Sequence, residues 1–358
     1  MKSAQPIPKV SVLMLTCNHE RFIAQAIQSA LMQRTSFDFE IVIGEDCSTD
    51  QTREIVRDFQ HRHPEKIRLL LPDQNLGMQR NYFQTLQACA GQYISVLDGD
   101  DFWISPDKLQ KQVDYLEAHR DCVICFHNVW IVREDGMGAS QRQCPDNQKE
   151  ISTLEDLLVV NLIPTCATMF RNDQSHQVLE KHVAPRFLDW SRHLLAARRG
   201  NIGYINETMA VYRKHSTGAF SSLEPREVEL CRLEMYESLV GRLGPRYEKA
   251  LTNMIFHARH DLAVACALEN DVGNAIRYAR LCLRERPFSS HLARKIKLGL
   301  RIKAPRTFLI VRVFSRRAQS AGESVKMLVG KIKPKSRYIE RKQQSSPHES
   351  GLRMGKQT

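Results

Sequence analysis

The sequence predicts an α/β protein: a parallel sheet flanked by helices, then a helical C-terminal appendage and a basic tail. Three observations carry this. Up to Leu97, short β-branched and aliphatic runs alternate with segments of helical periodicity, the pattern of a parallel sheet with right-handed crossovers. Polar loops follow the first, second and fourth of those runs. They therefore fall at strand carboxyl ends, where open α/β sheets place their ligands. Beyond Ser222 the short apolar runs give way to long amphipathic segments and then to a stretch rich in Lys and Arg.

The elements follow in order. Val10–Leu15 reads as a first buried strand, ending at Thr16-Cys17-Asn18. Phe22, Ile23, Ala26, Ile27, Ala30 and Leu31 recur at helical spacing. Glu40–Gly44 is a second strand, and the polar loop Glu45–Asp50 after it is rich in cap residues. Thr52–His61 is a helix with Ile55, Val56 and Phe59 on one face, stopped by Pro64. Ile67–Leu71 is a third strand and Asn75-Leu76-Gly77 a turn. Arg80–Ala90 reads as a helix with Gly91 as its C-cap. Tyr93–Leu97 is the fourth strand.

Further on, Lys108–Ala118 reads as a helix and Cys122–Val132 as an apolar strand. Arg133–Lys149 is a polar loop containing Gly136 and Gly138. Ile151–Val160 reads as a helix capped by Ser152 or Thr153, and Thr165–Phe170 as a short strand. Asp189-Trp190 opens a helix to Ala197, ended by Gly200. Asn201–Tyr204 and Met209–Tyr212 read as two short strands.

The fourth strand runs into Val96–Trp103, V-L-D-G-D-D-F-W. Asp98, Asp100 and Asp101 repel one another at this spacing unless a cation or a hydrogen-bond donor compensates. Carboxylate oxygens are hard ligands for Mg²⁺ or Mn²⁺, which commonly bridge carboxylates to a substrate's phosphates. The same four residues also make an ordinary polar turn with Gly99 at its bend. An EF-hand loop fits poorly, because Phe102 and Trp103 fall where an oxygen ligand and the glycine belong. The loops after strands one, two and four should converge on one crevice, bringing Asp46 beside Asp98.

Two more residues stand out. Asp189 lies at a helix start, where a carboxylate can simply cap. It could instead act as a general base, with Phe187, Leu188 and Trp190 lowering the local polarity and raising its pKa. His215, in Tyr212–Gly218, is either a surface histidine or a metal ligand using neutral imidazole.

Other classes are disfavoured. No G-x-G-x-x-G follows the first strand and no G-x-x-x-x-G-K-[ST] occurs, which argues against a dinucleotide-binding dehydrogenase or a P-loop enzyme. The net charge is +12, but residues 284–358 alone carry +16, leaving −4 on residues 1–283. The basicity belongs to the tail, so a nucleic-acid-binding catalytic part is not expected, and a tail meeting an anionic surface is. No run of about 18 apolar residues is present, so no transmembrane helix is expected. Met1–Pro8 is short and polar, unlike a signal peptide. The ten cysteines are scattered, and the lone C-x-x-C, Cys122–Cys125, lies inside an apolar run. This fits buried thiols in a reducing cytoplasm.

Val10–Asn18, Glu40–Asp50, Asn75–Trp103, Asp189-Trp190 and Ala210–Gly218 resemble, in order, the motifs of the family 2 glycosyltransferases. The resemblance covers Lys9–Ser221. It implies a GT-A sheet, a nucleotide-diphosphate sugar donor (usually UDP-linked), Mg²⁺ or Mn²⁺, and inversion at the anomeric carbon. It further implies that Thr16, Asn18 and Asp46 hold the nucleobase and ribose, and that Arg80 lies near the nucleotide. Asp98 and Asp100 form its D-x-D, Asp98 toward ribose or metal and Asp100 as direct ligand. Asp189 would be the base, and His215 would complete the metal or diphosphate site. Cys17 stands where the family has Tyr, and Glu45 replaces the first Asp of a D-D pair. No Q-x-x-R-W is present, so transfer of one sugar per encounter is expected rather than chain extension.

The resemblance implies a catalytic domain over 1–222. Val228–Val240, Arg246–Leu268 and Val272–Arg286 read as amphipathic helices of an appendage over 223–294. Within it, Ala258–Pro287 is similar to one tetratricopeptide hairpin. Lys295–Lys335 mixes cations with Leu298, Phe308, Ile310 and Phe314, as an interfacial helix on an anionic leaflet or a solvated basic tail would. Ser336–Thr358 is polar and expected to be disordered, which makes 295–358 a basic, partly disordered tail. The expected protein is cytoplasmic and peripheral at the inner membrane face, with a saccharide or lipid-linked saccharide as acceptor in surface polysaccharide synthesis. Two alternatives remain: a nucleotidyltransferase, for which Leu13–Arg21 offers little basic, Gly-rich phosphate loop, and an inactive binding protein on the same fold.

Overall fold

Val10–Thr16 (β1) lies inside the sheet with every residue but Leu15 buried. Strands covered on both faces read as continuous apolar runs, which is why this one is legible. The computed structural model describes residues 7–134, 140–172, 187–218 and 223–285. Phe39–Glu45 (β2) and Tyr93–Val96 (β4) flank β1 in parallel, and Ile67–Leu70 (β3) pairs with β2. Helices Ile23–Leu31 (α1), Thr52–Arg62 (α2) and Met78–Ala88 (α3) make the crossovers.

The other half of the sheet is mixed, a departure from the all-parallel reading. Phe102–Trp103 (β5) follows the carboxylate run, and Lys108–Ala118 (α4) leads to the long strand Cys122–Arg133 (β6). Met169–Arg171 (β9) lies antiparallel to both β4 and β6. Asn201–Lys214 is one fourteen-residue strand, β10, not two short ones. It pairs parallel with β6, and register shifts between Ile205 and Ala210 account for the gap in its apolar pattern. β5 pairs antiparallel with β10, which carries the end of β10 to the acidic turn.

Several expectations shift. Helix α3 begins at Met78, and its C-cap is Cys89 in an extended conformation. Gly91 is needed for a different reason: a Cβ there would come within 2.4 Å of the Ser11 backbone nitrogen on β1. Ile151–Ser152 (β8) pairs with β10, and only Leu154–Val159 (α5) is helical, with Thr153 and Asp156 forming a capping box. Gln141–Arg142 (β7) pairs with β6 inside the expected loop, whose residues 135–139 lie outside the described ones. Thr165–Ala167 is a 3₁₀ turn before β9. The Cys122 and Cys125 thiols are buried and free.

Leu188–Ala196 (α6) has Phe187 as its N-cap and carries Asp189 in its first turn, two positions past the cap. Pro225–Ser238 (α7), Pro245–Leu268 (α8) and Val272–Glu285 (α9) follow. α7 packs on the sheet's helical cover: the Tyr236 hydroxyl donates to the Leu158 carbonyl (2.7 Å) and its ring meets Trp190 with centroids 5.8 Å apart. Among the described residues no helix is long and apolar enough to cross a membrane. The expected interfacial tail, 295–358, lies outside the described residues.

Candidate active site

Turns at the ends of β1, β2, β4 and β10 meet at one edge of the sheet. Thr16 closes β1; its buried Oγ1 faces His19 Nδ1 at 3.3 Å. A Cβ on Gly99 would sit 2.6 Å from that Oγ1, so the acidic turn lies directly against the end of β1. Asn18 is exposed at φ +56°, and its Oδ1 accepts the Thr49 N–H at 2.8 Å, tying the β1 and β2 loops together.

Asp46 is buried, and its carboxylate accepts the N–H groups of Leu76 (2.7 Å) and Gly77 (2.9 Å). It therefore anchors the turn before α3, where Gly77 adopts φ +80°. Glu45, beside it, is fully buried, paired with Arg53 and accepting the Ser48 N–H at 2.6 Å. Arg80 is exposed in the first turn of α3. Among the described residues, no ion pair ties it to the acidic cluster.

The acidic turn is where long-range partners converge. Asp100 Oδ2 lies 2.9 Å from His215 Nε2 and 3.9 Å from His19 Nε2. His215 is buried, its Nδ1 is 2.9 Å from Thr217 Oγ1, and its ring leans on Phe22 at 5.0 Å. Burial works against the Asp100 carboxylate, but the His215 hydrogen bond and the two imidazoles outweigh it and hold its pKa below the usual value. The same hydrogen bond raises His215. His19 is lowered, because burial dominates the pull of Asp100.

Asp98 is pushed up to about 8, by burial first and then by the charges of Asp100 and Asp189, against the opposing Arg192 guanidinium. Asp189, on α6, accepts from Asn161 Nδ2 (3.2 Å) and Thr165 Oγ1 (3.4 Å). Four groups brought from β4, α6 and β10 thus share one electrostatic neighbourhood. Such a cluster of carboxylates beside imidazoles can take up a divalent cation and a proton. The donor set fits such an ion. Asp100 Oδ2 and His215 Nε2 already lie side by side, and a cation would relieve the pressure on Asp98. Among the described residues no three His, Cys, Asp or Glu side chains are grouped to hold an ion unaided.

Five participants escaped the sequence reading. His19 lies three residues after Thr16, a spacing with no motif of its own. Arg192 is buried on α6, its guanidinium over the rings of Phe170 (4.4 Å) and Tyr82 (5.2 Å). Asn161, from the connection after Val160, and Thr165, which read as the start of a strand, both donate to Asp189. Arg213 could have been suspected from its place two residues before His215.

The sheet order and the acidic turn at the crevice define a GT-A fold. Residues 11–176 match the model of "Glycosyl transferase family 2". Those residues, just under half of the chain, form a glycosyltransferase family 2 domain. It is 35% identical over 213 residues to an uncharacterized protein of Mycobacterium tuberculosis (strain H37Rv), covering 60% of this chain and 61% of that protein. It is 32% identical over 222 residues to an uncharacterized glycosyltransferase of Nostoc sp. (strain PCC 7120), covering 58% of this chain and 65% of the relative. The chain thus spans about three fifths of the length of the mycobacterial relative. The crystal structure of Staphylococcus aureus TarS 1–349 in complex with UDP superposes with a TM-score of 0.55 at 17% identity, covering 87% of this chain and 92% of that one. That likeness concerns the fold.

Proposed function

We propose that the protein is a metal-dependent, inverting, non-processive glycosyltransferase. It moves a sugar from a nucleotide-diphosphate donor, UDP-linked, to a saccharide or lipid-linked saccharide in surface polysaccharide synthesis. One observation supports this above the rest: Asp98 responds to both Asp100 and Asp189, so a cation-type carboxylate pair and a base candidate share a crevice. The related fold of TarS has been solved with UDP and with UDP-GlcNAc, and relatives carry glycosyltransferase names.

In this reading Thr16, Asn18 and the turn anchored by Asp46 form the nucleoside mouth, with Arg80 at its rim. Asp98 faces the ribose or the cation. Asp100 and His215 are the residues that would hold Mg²⁺ or Mn²⁺, since such ions are usually bound by one or two carboxylates plus substrate phosphates. An ion bound there would supply positive charge to offset that building on the departing diphosphate. Asp189 accepts the acceptor hydroxyl's proton as that oxygen attacks from the opposite face. Asn161 and Thr165 donate to its Oδ2, keeping the carboxylate oriented. The division into a catalytic domain over 1–222, a helical appendage over 223–294 and a tail over 295–358 belongs to the same reading. So does attachment of the +16 segment to an anionic inner leaflet, with the catalytic part in the cytoplasm.

A thermal-stability screen over UDP-, GDP-, CMP- and dTDP-sugars, with and without Mn²⁺, tests the donor reading. A bound ligand raises the melting temperature by mass action. UDP-sugars with Mn²⁺ should give the largest rise. Equal melting temperatures across all donors would contradict it.

A further inference from the structure

The third carboxylate of the D-G-D-D run has no part in the function proposed above, yet Asp101 is 0% exposed. Its Oδ1 accepts the backbone N–H of Arg213, on β10, at 2.8 Å. Arg213 reaches back across the same gap: its Nη1 donates to the Asp100 carbonyl at 2.6 Å, and its Nη2 to Gln25 of α1. The guanidinium lies over the rings of Phe102 (4.4 Å) and Phe22 (5.1 Å), which fixes its plane. β5 and β10 are joined alongside, with Val211 opposite Phe102.

These contacts are crossed. A carboxylate takes a backbone N–H, and a guanidinium takes a backbone carbonyl. The pair therefore works by holding two chain segments in register. A buried backbone N–H left without an acceptor is costly, so the Asp101 contact pins β10 at Arg213. Two residues further on, the His215 imidazole meets the Asp100 carboxylate.

We infer that Asp101 and Arg213 are positioning residues, forming a reciprocal clamp that sets the His215 imidazole against the Asp100 carboxylate. This rests on the reading of Asp100 and His215 as the cation and diphosphate site. Asp101 is then a lock and not a third ligand. A clamp of this kind needs an acceptor oxygen at residue 101, whereas a ligand or counter-charge needs the carboxylate.

Two measurements on the full chain test this. One is hydrogen exchange at the Arg213 amide; the other is calorimetric titration of Mn²⁺ in the presence of UDP. Asp101→Ala should speed exchange at Arg213 and weaken Mn²⁺ binding by about 10- to 100-fold, the range typical of residues that orient metal ligands. Asp101→Asn keeps the acceptor oxygen and should stay within about threefold of the parent, well below that range. Arg213→Met keeps the backbone half of the clamp, guards against a misfolded alanine variant, and should weaken binding by about tenfold.

The clamp is overturned if Asp101→Asn is as damaging as Asp101→Ala, or if Arg213→Met binds Mn²⁺ like the parent. Should the parent itself fail to bind Mn²⁺ with UDP, the cation reading falls. Exchange at Arg213 then decides the clamp alone, with unchanged protection in Asp101→Ala rejecting it.

Discussion

The imidazole Nε2 of His215 lies 2.9 Å from Oδ2 of Asp100, though one follows the last strand and the other follows the fourth. The site is therefore completed only when both halves of the sheet have formed. His215→Ala should weaken Mn²⁺ binding in the presence of UDP by at least about tenfold, measured by calorimetry. The melting temperature without ligand should fall as well, because the Asp100 carboxylate loses its hydrogen-bond partner.

Gly99 is required by close approach. A methyl group there would meet Thr16 Oγ1 at 2.6 Å, Thr16 Cβ at 2.8 Å and His19 Nδ1 at 3.0 Å. Thr16 is buried and cannot step aside. Gly99→Ala should cost about 1–3 kcal/mol of stability, as overpacking typically does, and should raise the donor KM. Urea unfolding and donor titration check the two effects.

Lys108 gives a pH signature away from the site. Its amine is fully buried, 2.5 Å from Ser95 Oγ and 3.9 Å from the centroid of the Trp103 ring. Burial lowers its pKa from 10.5 to about 7. Between those values the unfolded chain holds a proton that the folded chain lacks, so this group adds stability as pH rises. Relative to Lys108→Met, the parent should gain up to about 1.4 kcal/mol per pH unit between pH 7 and 9. Parallel denaturant curves at both ends of the window measure it.

The helices after residue 222 support the segment that carries Asp189. Tyr236 is fully buried, donating to the Leu158 carbonyl and packing on Trp190, next to Asp189. Tyr236→Phe should cost about 1–3 kcal/mol, because it leaves a buried carbonyl unpaired. Tyr236→Ala should cost about 3–5 kcal/mol, as loss of a large core ring does. Chemical denaturation separates the two.

Much of this was legible in the sequence. β1, β2 and β4 are covered on both faces, so their residues are mostly apolar, broken only by Ser11, Glu40 and Ser95 before the polar loops begin, and those loops had one place to go. The acidic turn announced itself by charge density. β10 was harder: its register shifts break the periodicity, and it read as two strands. Thr165–Phe170 read as one short strand, but Thr165–Ala167 is a 3₁₀ turn and only Met169–Arg171 pairs, antiparallel, a direction that three residues do not encode. Asp46 was expected beside Asp98, but its carboxylate is engaged by two backbone N–H groups, which depends on the turn at Leu76-Gly77 folding back. His19, Asn161 and Arg213 act through contacts across the chain, which spacing along it does not encode.

The most direct test concerns Asp189. Turnover of the UDP-sugar with Mn²⁺ is compared between the parent and Asp189→Asn, with donor affinity measured alongside. Asparagine keeps the shape and an acceptor for Asn161 and Thr165 but accepts no proton at working pH. The account predicts donor affinity near that of the parent and turnover reduced by about 10²- to 10⁴-fold, the usual contribution of a general base. Full-rate turnover by Asp189→Asn would contradict it.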